Sequence, residues 1–346
     1  MATHQATDAD LMGLAIQAAD QSRLMAPPNP WVGAVVVQGS RVVSGSTEKP
    51  GGRHAERVAL DRAGRDAAGA TLYSTLEPCC FTGRTGPCTD AIIDAGVSRV
   101  VVGLEDPDVN VAGTGVEQLR AAGITVDVGV AADVVTEQLL PYLHHRRTGR
   151  PWVVLKLASS LDGGTAAPDG SSQWITGPEA RRDVHRIRAE SDAILVGAGT
   201  LRTDNPRLTV RDWEPPSPLT VEDVSPQRFV LGSAPAEAHA QPVTELTGEL
   251  PEILDHMGSF GILQLMVEGG AQVASQFHGA GLVNEYVVYQ APAFFGGADA
   301  VGLFRGKGAP TMGDLWRGQI VDHLQMGDDL RIRIRPLTAA PGDGDE

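Results

Sequence analysis

Cysteine is scarce in this sequence. Three stand in 346 residues, and all of them, Cys79, Cys80 and Cys88, fall in one ten-residue window. A disulfide-stapled secreted scaffold spreads an even number along the chain, so that class is excluded. The thiols read instead as a metal or catalytic site in a reduced, cytoplasmic protein. Positive charge is also in the minority: 28 Lys and Arg against 43 Asp and Glu leave a net charge of −15. General affinity for nucleic acid or an anionic membrane needs clustered positive charge, so neither partner is expected. Aromatics are only 5%, without the aromatic–basic interleaving of a single-strand binder. No apolar run reaches the length of a membrane span, and the most apolar late stretch, 286–304, is broken by Gln290, Pro292 and Asp299. The start, MATHQATDADLMGLA, lacks the basic segment and apolar core of a secretory signal. Gly (41) and Pro (23) follow no period, which removes collagen-like and low-complexity readings.

What is present suggests two domains. At about 150 residues each, the length accommodates two, and an apolar share of 42% can fill two cores. Strands are expected at 31–37, 41–45, 70–76, 99–103 and 124–128, with helices at 10–19, from His54, from Cys88 and at 113–122. The polar run HHRRTGRP, 144–151, reads as a linker, because the alternation restarts after it. Strands then follow at 152–158, 193–197, 228–231, 263–267 and 284–291, with helices at 178–190 and 271–278. Strands alternating with helices indicate an α/β layer fold. The expected domains are 1–146 and 151–338, with 212–226 a surface loop and 339–346 a disordered acidic tail.

The sharpest local pattern is His54-Ala55-Glu56 followed by Pro78-Cys79 and Cys88. H-x-E with P-C-x-x-C is the signature of zinc deaminases. An imidazole and two thiolates hold Zn²⁺ with a fourth position open to water. The chemistry then needs a carboxylate that does not bind the metal and carries the proton to the leaving amine; Glu56 suits that catalytic role. Both ligand segments fall at expected helix starts, where the positive dipole end favours thiolate. The spacing departs from the signature, since Thr82 stands three residues after Cys79. Cys88 is therefore the second thiolate, with Cys80 its competitor; adjacent residues rarely both chelate one small ion. The bland alternative is a helix-start histidine beside structural thiols.

The second half is locally basic. Arg181, Arg182, Arg186, Arg188, Arg202, Arg207 and Arg211 face only Asp183, Glu190, Asp192 and Asp204 across 181–211. A phosphorylated substrate explains this, because guanidinium forks around phosphate oxygens. A solvated helix face with ion pairs is the competing reading. Glu268-Gly269-Gly270 stands where a strand meets a helix, suited to a phosphate at the helix N-terminus or simply to a tight turn. Lys156 lies on an apolar strand and needs an anionic partner, so it is a candidate substrate contact. Trp174 follows Ser171-Ser172-Gln173, which tilts it toward a cleft rim.

Longer motifs run through both halves: Pro28-Asn29-Pro30-x-Val32-Gly33, Thr75-Leu76-Glu77-Pro78-Cys79 with Gly83-Arg84-Thr85 and Pro87-Cys88, then Lys156-Leu157-Ala158, Ser160-Leu161-Asp162-Gly163, Ser172-Gln173-Trp174-Ile175-Thr176, Asp204-x-Pro206-x-Leu208-Thr209-x-Arg211 and Val267-Glu268-Gly269-Gly270. On these the chain resembles the bacterial bifunctional riboflavin-biosynthesis proteins, a pyrimidine deaminase fused to a reductase, over nearly its whole length. The resemblance implies a cytidine-deaminase-like three-layer domain followed by a dihydrofolate-reductase-like α/β domain. It implies zinc-dependent deamination of a diaminopyrimidinone ribosylamino phosphate, then NADPH-dependent reduction of its ribose to ribityl, in a homo-oligomer. It places Ala158, Trp174, Thr200, Asp204, Ser233 and the run Gly270, Ala271, Gln272, Val273, Ala274, Ser275, Gln276 at NADPH. Ser172, Arg188, Leu208, Arg211 and Glu268 fall at the substrate, as does Asn29 in the first half. Arg181 and Arg182 are expected to be surface residues. Phe81 departs from a histidine usual in the cysteine loop and puts deaminase affinity in question, though the retained Glu56 argues against a lost activity. The stretch 212–262 is shorter than in many relatives, which puts the middle strands of the reductase in question. A nucleic-acid-editing deaminase is the rival that the acidic balance opposes.

Overall fold

Helix α1 (Asp8–Asp20) starts at a reciprocal cap: Asp10 N–H donates to Thr7 Oγ1 at 3.2 Å, and Thr7 N–H donates to Asp10 at 2.9 Å. The structure is a computed structural model that describes residues 6–83 and 85–337. The expected tail at 339–346 and Arg84 of the cysteine loop lie outside the described residues. The chain divides into two compact units between Arg150 and Pro151.

In the first unit, strands β1 (Gly33–Gln38), β2 (Arg41–Ser46), β3 (Thr71–Leu76), β4 (Arg99–Leu104) and β5 (Thr125–Val128) form one sheet. Its order is β2-β1-β3-β4-β5, with β1 antiparallel to both neighbours and β3, β4 and β5 parallel. Leu11, Met12 and Ala15 of α1 pack on Val35, Tyr73 and Val101. Helices α2 (Ala55–Ala63), α3 (Cys88–Asp94), α4 (Thr114–Ala121) and α5 (Ala132–Thr148) complete the unit. Gly45 is what lets α2 approach β2, since a Cβ there would stand 2.5 Å from both Ala55 O and Ala59 N. That contact fixes the start of α2, and with it His54 and Glu56.

Helix α5 corrects the sequence reading. The run at 144–151 is not all linker, because its first five residues complete α5. Leu139, Tyr142, Leu143 and His145 are buried, so the polar run is the packed last turn of the helix, with only Arg147 and Thr148 fully exposed. Only Gly149, in left-handed backbone at φ 74°, and the two residues after it leave the helix.

The second unit opens with β6 (Trp152–Ser160) and β7 (Gly164–Ala166), then α6 (Pro178–Ala189), β8 (Ala193–Gly197) and α7 (Ala198–Asp204). Next come β9 (Gln227–Leu231), β10 (Thr244–Leu246), α8 (Leu250–Ser259), β11 (Gln264–Val267) and α9 (Ala271–Gly279). It ends with β12 (Glu285–Ala291), β13 (Val301–Gly302), β14 (Gly318–Met326) and β15 (Asp329–Pro336). The eight-stranded sheet runs β10-β9-β8-β11-β6-β12-β15-β14, parallel up to β12 and antiparallel beyond it. Helices α8 and α9 bury Ile253, Leu254, Met257, Ala274 and Phe277 on one face. Helix α6 buries Ala180, Val184 and Ile187 on the other. The parallel strands therefore read as continuous apolar runs. The middle strands put in question by the short 212–262 stretch are present as β9 and β10.

Candidate active sites

Helix α2 begins directly after His54, its extended N-cap residue, so Glu56 falls in the first turn. Strand β3 delivers Glu77-Pro78-Cys79 at its end, and Cys88 opens α3. His54 Nδ1 stands 3.4 Å from the Sγ atoms of both Cys79 and Cys88. Cys88 N–H donates to Cys79 Sγ at 3.4 Å, and the three ligand atoms lie within 4.8 Å of one another. For zinc bonds near 2.1 and 2.3 Å, a tetrahedron has N···S edges of about 3.6 Å. The donor set and its spacing therefore fit a zinc ion. Cys80 is not in the cluster; its Sγ points to Asn110 O at 3.5 Å.

The surroundings tune these groups. Hydrogen bonding from Cys88 and the His54 ring lowers the Cys79 thiol well below its ordinary value, despite burial. Glu56 is 3% exposed, and burial pushes its carboxyl up to about 7 against the opposing pull of His54. Two residues whose roles the motifs do not reveal hold the loops, Glu77 inside a motif and Arg57 outside any. Arg57 Nη2 donates to Pro87 O at 2.9 Å. Buried Glu77 accepts the N–H groups of Asp106, Gly113 and Val116 at 3.2, 2.9 and 3.0 Å, tying the end of β3 to the start of α4. Phe81 is 43% exposed on the cysteine loop. Asn29 is half-buried in the turn before β1, where its N–H donates to Ala26 O.

In the second unit a cavity of about 1370 Å³ opens above the strand ends. Lys156, Ala158, Ser172, Trp174, Arg188, Thr200, Asp204, Leu208, Arg211 and Glu268 all line it, as do Gly270, Ala271, Gln272, Val273 and Gln276. Three expected residues do not. Ala274 is fully buried against the sheet, because α9 turns that face inward. Ser275 donates to Ala271 O at 2.8 Å and accepts Arg305 N–H at 2.7 Å. Ser233 is exposed just beyond Leu231 and Gly232, which do line the wall.

The arginines separate into different jobs. Arg186 pairs with Asp183 and Glu190 at 2.8 and 2.6 Å, and Arg182 is exposed. Arg181, expected at the surface, lies on the cavity wall, its guanidinium 4.7 Å from the Trp174 ring centre while Nη1 donates to Thr176 O. Arg188 meets Glu268 through two bonds of 2.5 and 2.8 Å and donates a third to Thr209 O at 3.0 Å. Burial opposes ionisation of Glu268, yet the Arg188 charge beside it holds the carboxyl at about 2. Lys156 has its pKa lowered by burial, with Glu268 opposing. Among the described residues the Arg211 side chain makes one hydrogen bond, to Thr209 Oγ1 at 3.4 Å.

Comparison with known proteins follows this two-site layout. The profile of the cytidine and deoxycytidylate deaminase zinc-binding region matches residues 5–104, and that of the RibD C-terminal domain matches residues 151–332. The riboflavin biosynthesis protein RibD of Mycobacterium tuberculosis is 43% identical, over 94% of this chain and 96% of its own. The chain belongs to the RibD family. The Escherichia coli RibD is 38% identical across 93% of this chain and 98% of its own. A solved Acinetobacter baumannii RibD structure is 36% identical with a TM-score of 0.90, covering 96% of this chain and 99% of that one. A Thermotoga maritima structure, described as a deaminase and reductase, is 32% identical with a TM-score of 0.81, over 95% and 98% of the two chains. The protein is thus a bifunctional deaminase and reductase of riboflavin biosynthesis, α/β throughout, with a cytidine-deaminase-like first unit. Its deaminase domain is a zinc-binding one, and NADPH is the reductant of the family's second domain. No helix among the described residues is long and apolar enough to cross a membrane.

Proposed function

We propose that the first unit deaminates 2,5-diamino-6-ribosylamino-4(3H)-pyrimidinone 5′-phosphate. The second then reduces the ribosyl group of 5-amino-6-(5-phosphoribosylamino)uracil to ribityl. The His54, Cys79 and Cys88 cluster beside buried Glu56 carries the first half of this reading. Zinc held by those three residues supplies the Lewis acidity that makes water nucleophilic near neutral pH. Glu56 holds the proton taken from that water and passes it to the departing amino nitrogen, which leaves as ammonia. Asn29 contacts the pyrimidine.

In the second unit NADPH supplies the hydride, and the protein sets the geometry of transfer. The first turn of α9, with Gly270, Ala271, Gln272 and Val273 on the wall, offers N–H groups to the cofactor phosphates. Ala158, Trp174, Thr200 and Asp204 line the cofactor's side. Ser172, Leu208, Arg211 and Lys156 face the substrate, with Arg211 on its phosphate. Arg188 and Glu268, paired with each other on the cavity wall, also belong to the substrate's side. The three free thiols and the acidic balance support a cytoplasmic enzyme with neither nucleic-acid nor membrane partners. Strand β14 supports self-association: it ends the sheet and exposes Ile320 and Leu324 at 59% and 47%.

Glu56→Gln tests the deaminase assignment. Ammonia release falls by about 100-fold or more, while bound zinc and NADPH oxidation on the deaminated substrate stay unchanged. Undiminished ammonia release would remove Glu56 from the chemistry.

A further inference from the structure

His185 sits in the third turn of α6, is 4% exposed and lines the reductase cavity. Its Nδ1 accepts the main-chain N–H of Arg211 at 3.3 Å and lies 3.4 Å from Arg188 Nη1. Both neighbours are donors, so Nδ1 carries no proton and the neutral ring holds its hydrogen on Nε2. The charged groups facing the ring are Arg188 on its own helix, Arg211 and Asp212 on the following loop, and Glu268 at the end of β11. Burial and then the two arginines push its pKa down to about 4, so the ring is uncharged at working pH.

The loop it touches is unusual. Asn205, Leu208 and Asp212 all hold left-handed backbone, at φ 41°, 54° and 56°. Non-glycine residues rarely adopt it, and such positions persist only where surroundings over-determine them. The anchors are on the wall itself. Leu208 is buried in the cluster of Ile194, Val196 and Leu201. Asn205 Oδ1 accepts His239 N–H at 2.7 Å, and Thr209 O accepts Arg188. The last anchor is His185, which takes the N–H of Arg211 itself. Among the described residues no carboxylate lies within ion-pair distance of the Arg211 guanidinium, which leaves its charge available to an anion.

The geometry points to His185 as a positioning residue for the reductase: a neutral acceptor that fixes the Arg211 main chain without cancelling the charge of its side chain. An aspartate at this position would satisfy the same N–H, yet it would add a negative charge beside the arginine that meets the phosphate. A residue with no acceptor would leave the Arg211 N–H without its side-chain partner and the loop under-anchored. The inference rests on the reading of Arg211 as the phosphate arginine.

The test uses the full-length enzyme and follows NADPH oxidation on the phosphorylated ribosylaminouracil and on its 5′-hydroxyl counterpart without phosphate. His185→Ala raises KM for the phosphorylated substrate about tenfold and leaves KM for the counterpart and for NADPH unchanged. His185→Asn, whose amide oxygen replaces Nδ1, restores the phosphate preference, and His185→Asp does not. Adding Arg211→Ala to His185→Ala costs little more, because both act on one contact. Equal losses on both substrates, an unchanged KM ratio, or an aspartate variant as selective as the asparagine one would overturn the role. If the unaltered enzyme does not distinguish the two substrates, the reading of Arg211 fails instead.

Discussion

Glu268 closes β11 with both carboxylate oxygens on Arg188, and the pair is almost out of solvent, with side chains 10% and 9% exposed. The usual carboxylate value is 4.5 and the folded one is about 2, so ionised Glu268 stabilises the fold. That stabilisation is complete above about pH 4.5 and is lost as pH falls toward 2; by linkage it amounts to about 3 kcal/mol. Glu268→Gln therefore lowers stability by about 3 kcal/mol at pH 7 and by much less at pH 3. Urea unfolding at the two pH values checks this, and a gap that does not narrow would contradict the pair's role. Residues of this kind were only half legible in the sequence. His54, Glu56, Cys79 and Cys88 could be read because metal chemistry demands those types at close spacing. His185 could not, because its partner is a main-chain N–H 26 residues away. Arg188 and Glu268 were marked as ligand contacts, and nothing in their order in the chain reveals that each holds the other.

At the scale of elements, the zinc-ligand loop depends on how closely α4 approaches the end of β3. A Cβ on Gly115 would stand 2.2 Å from Pro78 O and 3.1 Å from Glu77 Oε1. Gly115→Ala must push α4 away from the residues that deliver Cys79. It costs about 1–3 kcal/mol in the first unit and weakens zinc retention and ammonia release, while NADPH oxidation by the second unit persists. Zinc retained at the level of the unaltered enzyme after dialysis against a chelator would show the approach to be unimportant. Strands and helices with strong periods were legible at nearly their true bounds, for example α6 and β8. Two failures have physical causes. The last turn of α5 is packed but polar, and so imitates a linker. The β14–β15 hairpin escaped notice because its apolar residues alternate with arginines, Leu330, Ile332 and Ile334 against Arg331, Arg333 and Arg335. Arg333 and Arg335 are spent on buried Glu285, and the turn at Gly327 needs its φ of 63°. That period of two, followed through Gly327, was the signal available.

For the whole molecule, a net charge of −15 coexists with a cavity that Arg181, Arg202, Arg207, Arg211 and Arg305 all line. Net charge governs the far field around a protein; a pocket is decided by which side chains face inward and which are already paired. The same separation holds for the two chemistries. The thiol–imidazole cluster belongs entirely to the first unit, and the arginine-lined cavity entirely to the second. The central claim is that these units perform successive steps on one phosphorylated pyrimidine. It is tested most directly by giving the full-length enzyme the diaminopyrimidinone ribosylamino phosphate with and without NADPH, and following ammonia and NADPH separately. The account predicts ammonia release in both cases and NADPH oxidation that begins only after ammonia has appeared. NADPH oxidation that runs ahead of ammonia, or deamination that stops when NADPH is withheld, would contradict it.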